Sequence, residues 1–114
     1  MSQYAWFENL SALVGETMPD SITSRTIYQD EALKVIVFGF AAGQSLSEHT
    51  ASMPATIHIL SGEGTVSMGG QEHSVKAGAW FHMDAQLPHS VNAATPLTML
   101  LLMVKAQRPA AAGV

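Results

Sequence analysis

The sequence predicts a single all-β domain, a sandwich or closed barrel built of short strands. Three observations carry that prediction. The chain has 114 residues, which suits one domain and one core. Hydrophobic residues make up 47% of it and charged residues only 12%, a balance that excludes a disordered chain. From Ser21 onward, roughly seven to nine short runs rich in β-branched and aromatic residues alternate with glycine- and proline-bearing turns.

The first twenty residues read differently, as a strap and loop spanning 1–20. Trp6, Phe7, Leu10, Leu13 and Val14 fall at helical spacing, which predicts one short helical turn within Tyr4–Val14 packed on the core. Gly15 to Ser21, with Pro19-Asp20, is a loop. The barrel proper is expected over 21–107. Thr23, Arg25, Ile27 and Gln29 alternate with their neighbours in a first strand that turns at Asp30-Glu31. Lys34 to Phe40 is the second, broken by Ala41-Ala42-Gly43. Thr56 to Leu60 ends at Ser61-Gly62-Glu63-Gly64. Thr65–Met68 and Gln71–Val75 flank Gly69-Gly70, a hairpin pair tolerant of positive φ. Ala77-Gly78 precedes Trp80–Met83, Leu87-Pro88 precedes His89–Ala93, and Thr95-Pro96 precedes Leu97–Val104. That last strand is apolar on both faces, so a second layer is expected over it, such as a partner subunit. Residues 108–114 read as a flexible tail.

Charge narrows the partners. The net charge is -4, and Arg25, Lys34, Lys76, Lys105 and Arg108 are scattered. A nucleic-acid or anionic-membrane surface needs clustered basic residues, so neither partner is expected. With no cysteine, disulfides, thiolate metal sites and cysteine nucleophiles are excluded. No apolar stretch reaches the ~18 residues of a membrane span. The start lacks the basic and apolar regions of a signal peptide, and a cytoplasmic protein is expected. Low surface charge also favours a homodimer, since a lone domain of this size normally exposes more Lys and Glu.

Two stretches carry a resemblance. Gly43 to Gly62, with His49-Thr50-Ala51 at its centre, resembles the first cupin motif, G-x5-H-x-H-x3-4-E-x6-G, and Gly43, His49 and Gly62 occupy their places. Gly78 to Ala93 resembles the second motif, G-x5-P-x-G-x2-H-x3-N, with Gly78 and His89 in place. The resemblance covers residues 33 to 104 and is nearest to the small single-domain, RmlC-like cupins whose first motif reads His-Thr-Ala. It implies a cupin double-stranded β-helix, a jelly-roll barrel, here with a short N-terminal helical segment. Ala51 stands where the motif has its second histidine and Ala55 where it has glutamate; Asp84, Gln86 and Ala93 replace proline, glycine and asparagine. Of the ligands that a metal-binding cupin carries, His49 and His89 remain.

Two imidazoles leave most of a coordination shell to water. A divalent transition metal (Zn, Fe, Mn or Ni) would be held loosely unless a third ligand completes the set. Candidates are His82, Gln86, Asp84, Glu48 and Gln44. If His82 points inward it makes a three-histidine metal site with His49 and His89; if outward it is a hydrogen-bonded structural residue. Alternation puts His58 on the opposite face of its strand from Ala55, and the resemblance, in which the glutamate position at Ala55 points into the barrel, implies that His58 faces away from His49. Without a metal, His49 and His89 are positioned to bind a small polar molecule in an apolar barrel widened by Ala51 and Ala55, with Phe40 and Trp80 as candidate walls, alongside Phe38, Phe81 and the methionines. The expected function is therefore a barrel that binds a small ligand or a loosely held metal, without assigned turnover. Two alternatives are a metal-dependent enzyme of the isomerase or oxygenase kind, and a structural or regulatory dimer with a vestigial site.

Overall fold

Nine strands follow one 3-10 turn among the residues described, 3–105, in a computed structural model. The expected tail, 108–114, lies outside the described residues. The strands are β1 (Ile22–Gln29), β2 (Leu33–Phe40), β3 (Ser45–His49), β4 (Ala55–Ser61), β5 (Glu63–Met68), β6 (Gln71–Lys76), β7 (Trp80–Met83), β8 (His89–Ala93) and β9 (Leu97–Val104). They form a five-stranded sheet, β1-β2-β9-β4-β7, and a four-stranded sheet, β3-β8-β5-β6, with antiparallel pairing throughout. The chain changes sheet at β2–β3, β3–β4, β4–β5, β6–β7, β7–β8 and β8–β9, the alternation of a jelly roll.

Period-two alternation fills the space between the sheets. On β4, Ala55, Ile57 and Ile59 point in, and Thr56, His58 and Leu60 point out. Phe40, Leu97 and Met99 from the same sheet meet Val66, Val75, Val91 and Ala93 from the other. Each large side chain buried this way contributes about 1.5–3 kcal/mol. The Asp30 turn is tied by its own carboxylate. Asp30 Oδ1 accepts the Ala32 and Leu33 amides at 2.7 and 2.9 Å, and Oδ2 accepts the Tyr28 hydroxyl at 2.7 Å. The Tyr28 hydrogen bond, with the two amides, holds that carboxyl below its ordinary range.

The N-terminal segment forms its expected short helical turn, as a 3-10 turn, but packs in a different place from the expected one. Its only helical feature among the described residues is the 3-10 turn Ser11–Leu13, and its apolar stripe does not enter the core. The space between the sheets is already filled, whereas β2 and β9 are apolar on both faces and need a cover. The strap supplies part of it on the outer face of the five-stranded sheet. Phe7 and Leu10 line a groove with Ile27, Val35 and Leu100, Val14 and Thr17 sit over Gly39, and Arg25 donates to Leu13 O at 3.2 Å. Val37, buried yet outside the core cluster, lies beneath this layer. Trp6 remains 73% exposed.

Candidate functional site

β3 carries no β-branched residue, so its local pattern is weak, yet it positions the site. Leu46 pairs with Val91 and His49 with His89. Three steps along β3 match two along β8, which places an extra residue, a bulge, between Leu46 and His49. Strict alternation from the inward Leu46 would turn His49 outward. The bulge restores it to the side of His89, which shares the inner face of β8 with Val91 and Ala93.

The two imidazoles lie with ring centroids 4.3 Å apart and planes inclined by 58°. Each is oriented in the same way. His49 Nδ1 lies 2.8 Å from Ser47 O, and His89 Nδ1 lies 2.9 Å from Leu87 O. A carbonyl oxygen only accepts, so both Nδ1 atoms carry a proton, and in the neutral tautomer of each ring it is Nε2 that offers the lone pair. His89 is 7% exposed, whereas His49 is open to solvent. The site is thus sheltered at one ring and accessible at the other.

Neighbouring loops fix the buried ring. The 84–88 loop places Gln86 at φ 70°, and its amide donates to Ala51 O at 2.7 Å. Gly69 N donates to Pro88 O at 2.9 Å, so the β5–β6 turn holds the chain just before His89. The ends of β3, β5, β7 and β9 and the starts of β4 and β8 meet at this end of the barrel.

The other sequence-derived candidates lie elsewhere. Phe40 is a core residue at the opposite end, paired with Ile22 and Leu97 and 1% exposed. Trp80 and His82 stand on the outer face of β7, because Phe81 and Met83 take the inner one. Trp80, opposite His58, is 63% exposed. His82 Nδ1 is 3.0 Å from Thr56 Oγ1 and Nε2 is 3.7 Å from Asp84 Oδ1. An imidazole so engaged on the outer face does not complete a three-histidine site. Asp84 sits beside it, with 96% of its side chain exposed. Glu48 lines a polar depression outside the four-stranded sheet, with Ser47, Ser67 and Glu72. Gln44 lies at the far end of β3, its carbonyl bonded to Ala93 N.

Among the described residues no three His, Cys, Asp or Glu side chains converge to hold a metal ion. The donor set therefore does not fit the three- or four-ligand divalent centre that metal-binding relatives of this fold would imply. No helix among the described residues is long and apolar enough to cross a membrane.

A family model described as "Cupin domain" matches residues 36–105. The fold is shared with a conserved protein of unknown function from Streptococcus pyogenes, at 29% identity and TM-score 0.81, covering 94% of this chain and 93% of that one. An RmlC-like cupin protein from Desulfovibrio desulfuricans is 25% identical, with TM-score 0.72 over 82% of this chain and 93% of that one. An enzyme, salicylate 1,2-dioxygenase from Pseudoaminobacter salicylatoxidans, shows the same fold at 16% identity and TM-score 0.70, over 76% of this chain and 26% of that one. No curated protein sequence matches the chain.

Proposed function

We propose, from the premise that this chain belongs to the cupin family, that its barrel is a binding module whose paired imidazoles hold a small molecule without turning it over. The observation that carries this reading is the double Nδ1–H···O=C arrangement. It leaves two Nε2 acceptors side by side in surroundings whose other inward groups are alanine, leucine and methionine. Such a site favours a neutral molecule with an apolar body and an O–H or N–H donor. A charged ligand would lose hydration with no opposite charge to meet it. A divalent ion on the same two nitrogens would be held loosely, with water filling its other positions.

Phenol is the simplest probe of this chemistry. Long-range 1H–15N spectra are expected to report the Nδ1–H tautomer for both rings. Phenol should shift the Nε2 resonances of His49 and His89, with a Kd on the order of 1 mM for so small a ligand. His58 and His82, on the outer face, should not move. His89→Phe should weaken binding about tenfold by removing one acceptor. Unmoved Nε2 resonances up to the solubility of phenol would end the binding reading.

A homodimer belongs to the same proposal. Beyond the strap, the outer face of the five-stranded sheet offers Leu60, Leu102 and Trp80, with charged residues only 12% of the chain. A second copy would cover this apolar surface. Light scattering should give about twice the 12.1 kDa chain mass, and Trp80→Glu should shift the population to monomer. A wild-type monomer at micromolar concentration would remove the dimer and leave the reading of the histidine pair untouched.

A further inference from the structure

The inward row at the site does not stop at the imidazoles. Met68, at the end of β5, is the register partner of His89 on one side, as His49 is on the other. It follows Val66 on the inner face and packs against the core while remaining only partly buried. His49, His89 and Met68 therefore occupy three adjacent strands of one sheet, about 4.8 Å apart in the pairing direction. In the opposite sheet, at the same end of the barrel, Ala55 is flanked in register by Met83 and Met103. The position where the cupin motif has its carboxylate thus holds a methyl group between two thioethers.

This donor set has a definite chemical preference. It offers two imidazole nitrogens and uncharged sulfur, with no cysteine in the chain and, among the described residues, no third His, Asp or Glu converging on the pair. Manganese, iron(II) and zinc(II) favour carboxylate, thiolate or a fuller set of imidazoles. Thioether sulfur is soft and suits copper(I). Charge points the same way. With no anionic ligand to offset it, a dipositive ion in this apolar end loses far more hydration energy than a monopositive one, because the cost rises with the square of charge.

From these residues we propose that the cation this site selects is copper(I), held by His49 Nε2, His89 Nε2 and Met68 Sδ. The inference rests on the proposed role of the histidine pair and adds the third donor and the metal. Met68 is long and flexible enough to bring sulfur to the rings from the neighbouring strand. Methionine also serves as a plain gap-filler, so the deciding variant must keep its volume. Met68→Leu does so at little packing cost.

The test is an anaerobic titration of the untagged full-length protein with copper(I), buffered by a chromophoric copper(I) chelator, beside a zinc(II) titration. One equivalent of copper(I) is expected to bind, at least about a hundredfold more tightly than zinc(II). Met68→Leu should weaken copper(I) about tenfold or more and leave zinc(II) unchanged. X-ray absorption of the loaded protein should show sulfur together with nitrogen around copper, and the Met68 methyl resonance should shift. Equal copper(I) affinity in Met68→Leu, or a shell of nitrogen and oxygen only, would overturn the assignment. Failure to bind copper(I) while phenol still shifts both rings would sink the metal inference and leave the binding module standing; failure of both would sink the two together. A thermal melt of Met68→Leu close to that of the wild type confirms that the comparison is between folded proteins.

Discussion

Ala51→His combined with Ala55→Glu is expected to build a firm divalent-metal site around a histidine pair that by itself would leave most of the coordination shell to water. Ala55 begins β4, points inward and is 4% exposed; Ala51 is half-buried, and its carbonyl accepts the Gln86 amide beside the histidine loop. An imidazole and a carboxylate at these positions would join His49 and His89 in a four-ligand set. Zinc(II) or manganese(II) affinity should rise by at least about a hundredfold, because water in the coordination shell is replaced by fixed protein donors, one of them anionic. The gain has a cost in the apo protein. Met83 and Met103 flank Ala55 in register, so the glutamate must displace thioether volume and bury a carboxyl group. Apo stability should fall by about 1–3 kcal/mol. Adding metal at a hundred times its Kd should restore about 2.7 kcal/mol. Calorimetric titration and thermal melts with and without metal read both effects. Unchanged affinity in a folded double variant would mean that positions 51 and 55 do not face the histidine pair.

That experiment also marks what the sequence could and could not convey. Eight of the nine strands were legible because glycine and proline punctuate them: Gly43, Gly62, Gly69, Gly70 and Gly78 all adopt positive φ, and each lies at a turn. β3 was not legible as a strand, since Ser45–His49 has no β-branched residue. The outward direction of His58 was legible because the motif fixes Ala55 as inward, and alternation along β4 then turns His58 out. His82 was different. Alternation relates it to Phe81 and Met83 but does not say which set faces in; pairing with β4, where Thr56 lies opposite, decides that. Trp80 follows the same rule, and its aromatic character gave no hint that it sits outside. The approach of His49 to His89 depends on the β3 bulge, which has no marker in Ser45–His49 and is defined only by its register against β8. Met68 was hidden for the same reason. Among several methionines only cross-strand register singles it out as the neighbour of His89. Local chemistry names candidate donors, and long-range pairing chooses among them.

Gly62→Ala is expected to destabilise the barrel more than any other glycine-to-alanine change at its turns. Gly62 joins β4 to β5 with φ 87°, a conformation that costs an L-residue about 1–2 kcal/mol. A Cβ there would also overlap Pro96 O and Leu97 Cα, both main-chain atoms at the start of β9. A clashing side chain could rotate away. A backbone clash requires the start of β9 to move, and Leu97 and Met99, its first inward residues, belong to the core. The combined loss should be about 3–5 kcal/mol. At roughly 4 °C per kcal/mol, the melting temperature should fall by about 12–20 °C. Gly70→Ala supplies the control. Gly70 has nearly the same φ, 85°, but nothing lies within 4 Å of its Cβ position. Its loss should stay at the strain alone, about 1–2 kcal/mol. The difference between the two melts measures the close approach of the β4–β5 turn to β9. Equal losses would place the constraint in φ alone and remove the backbone contact as the reason for glycine at this position.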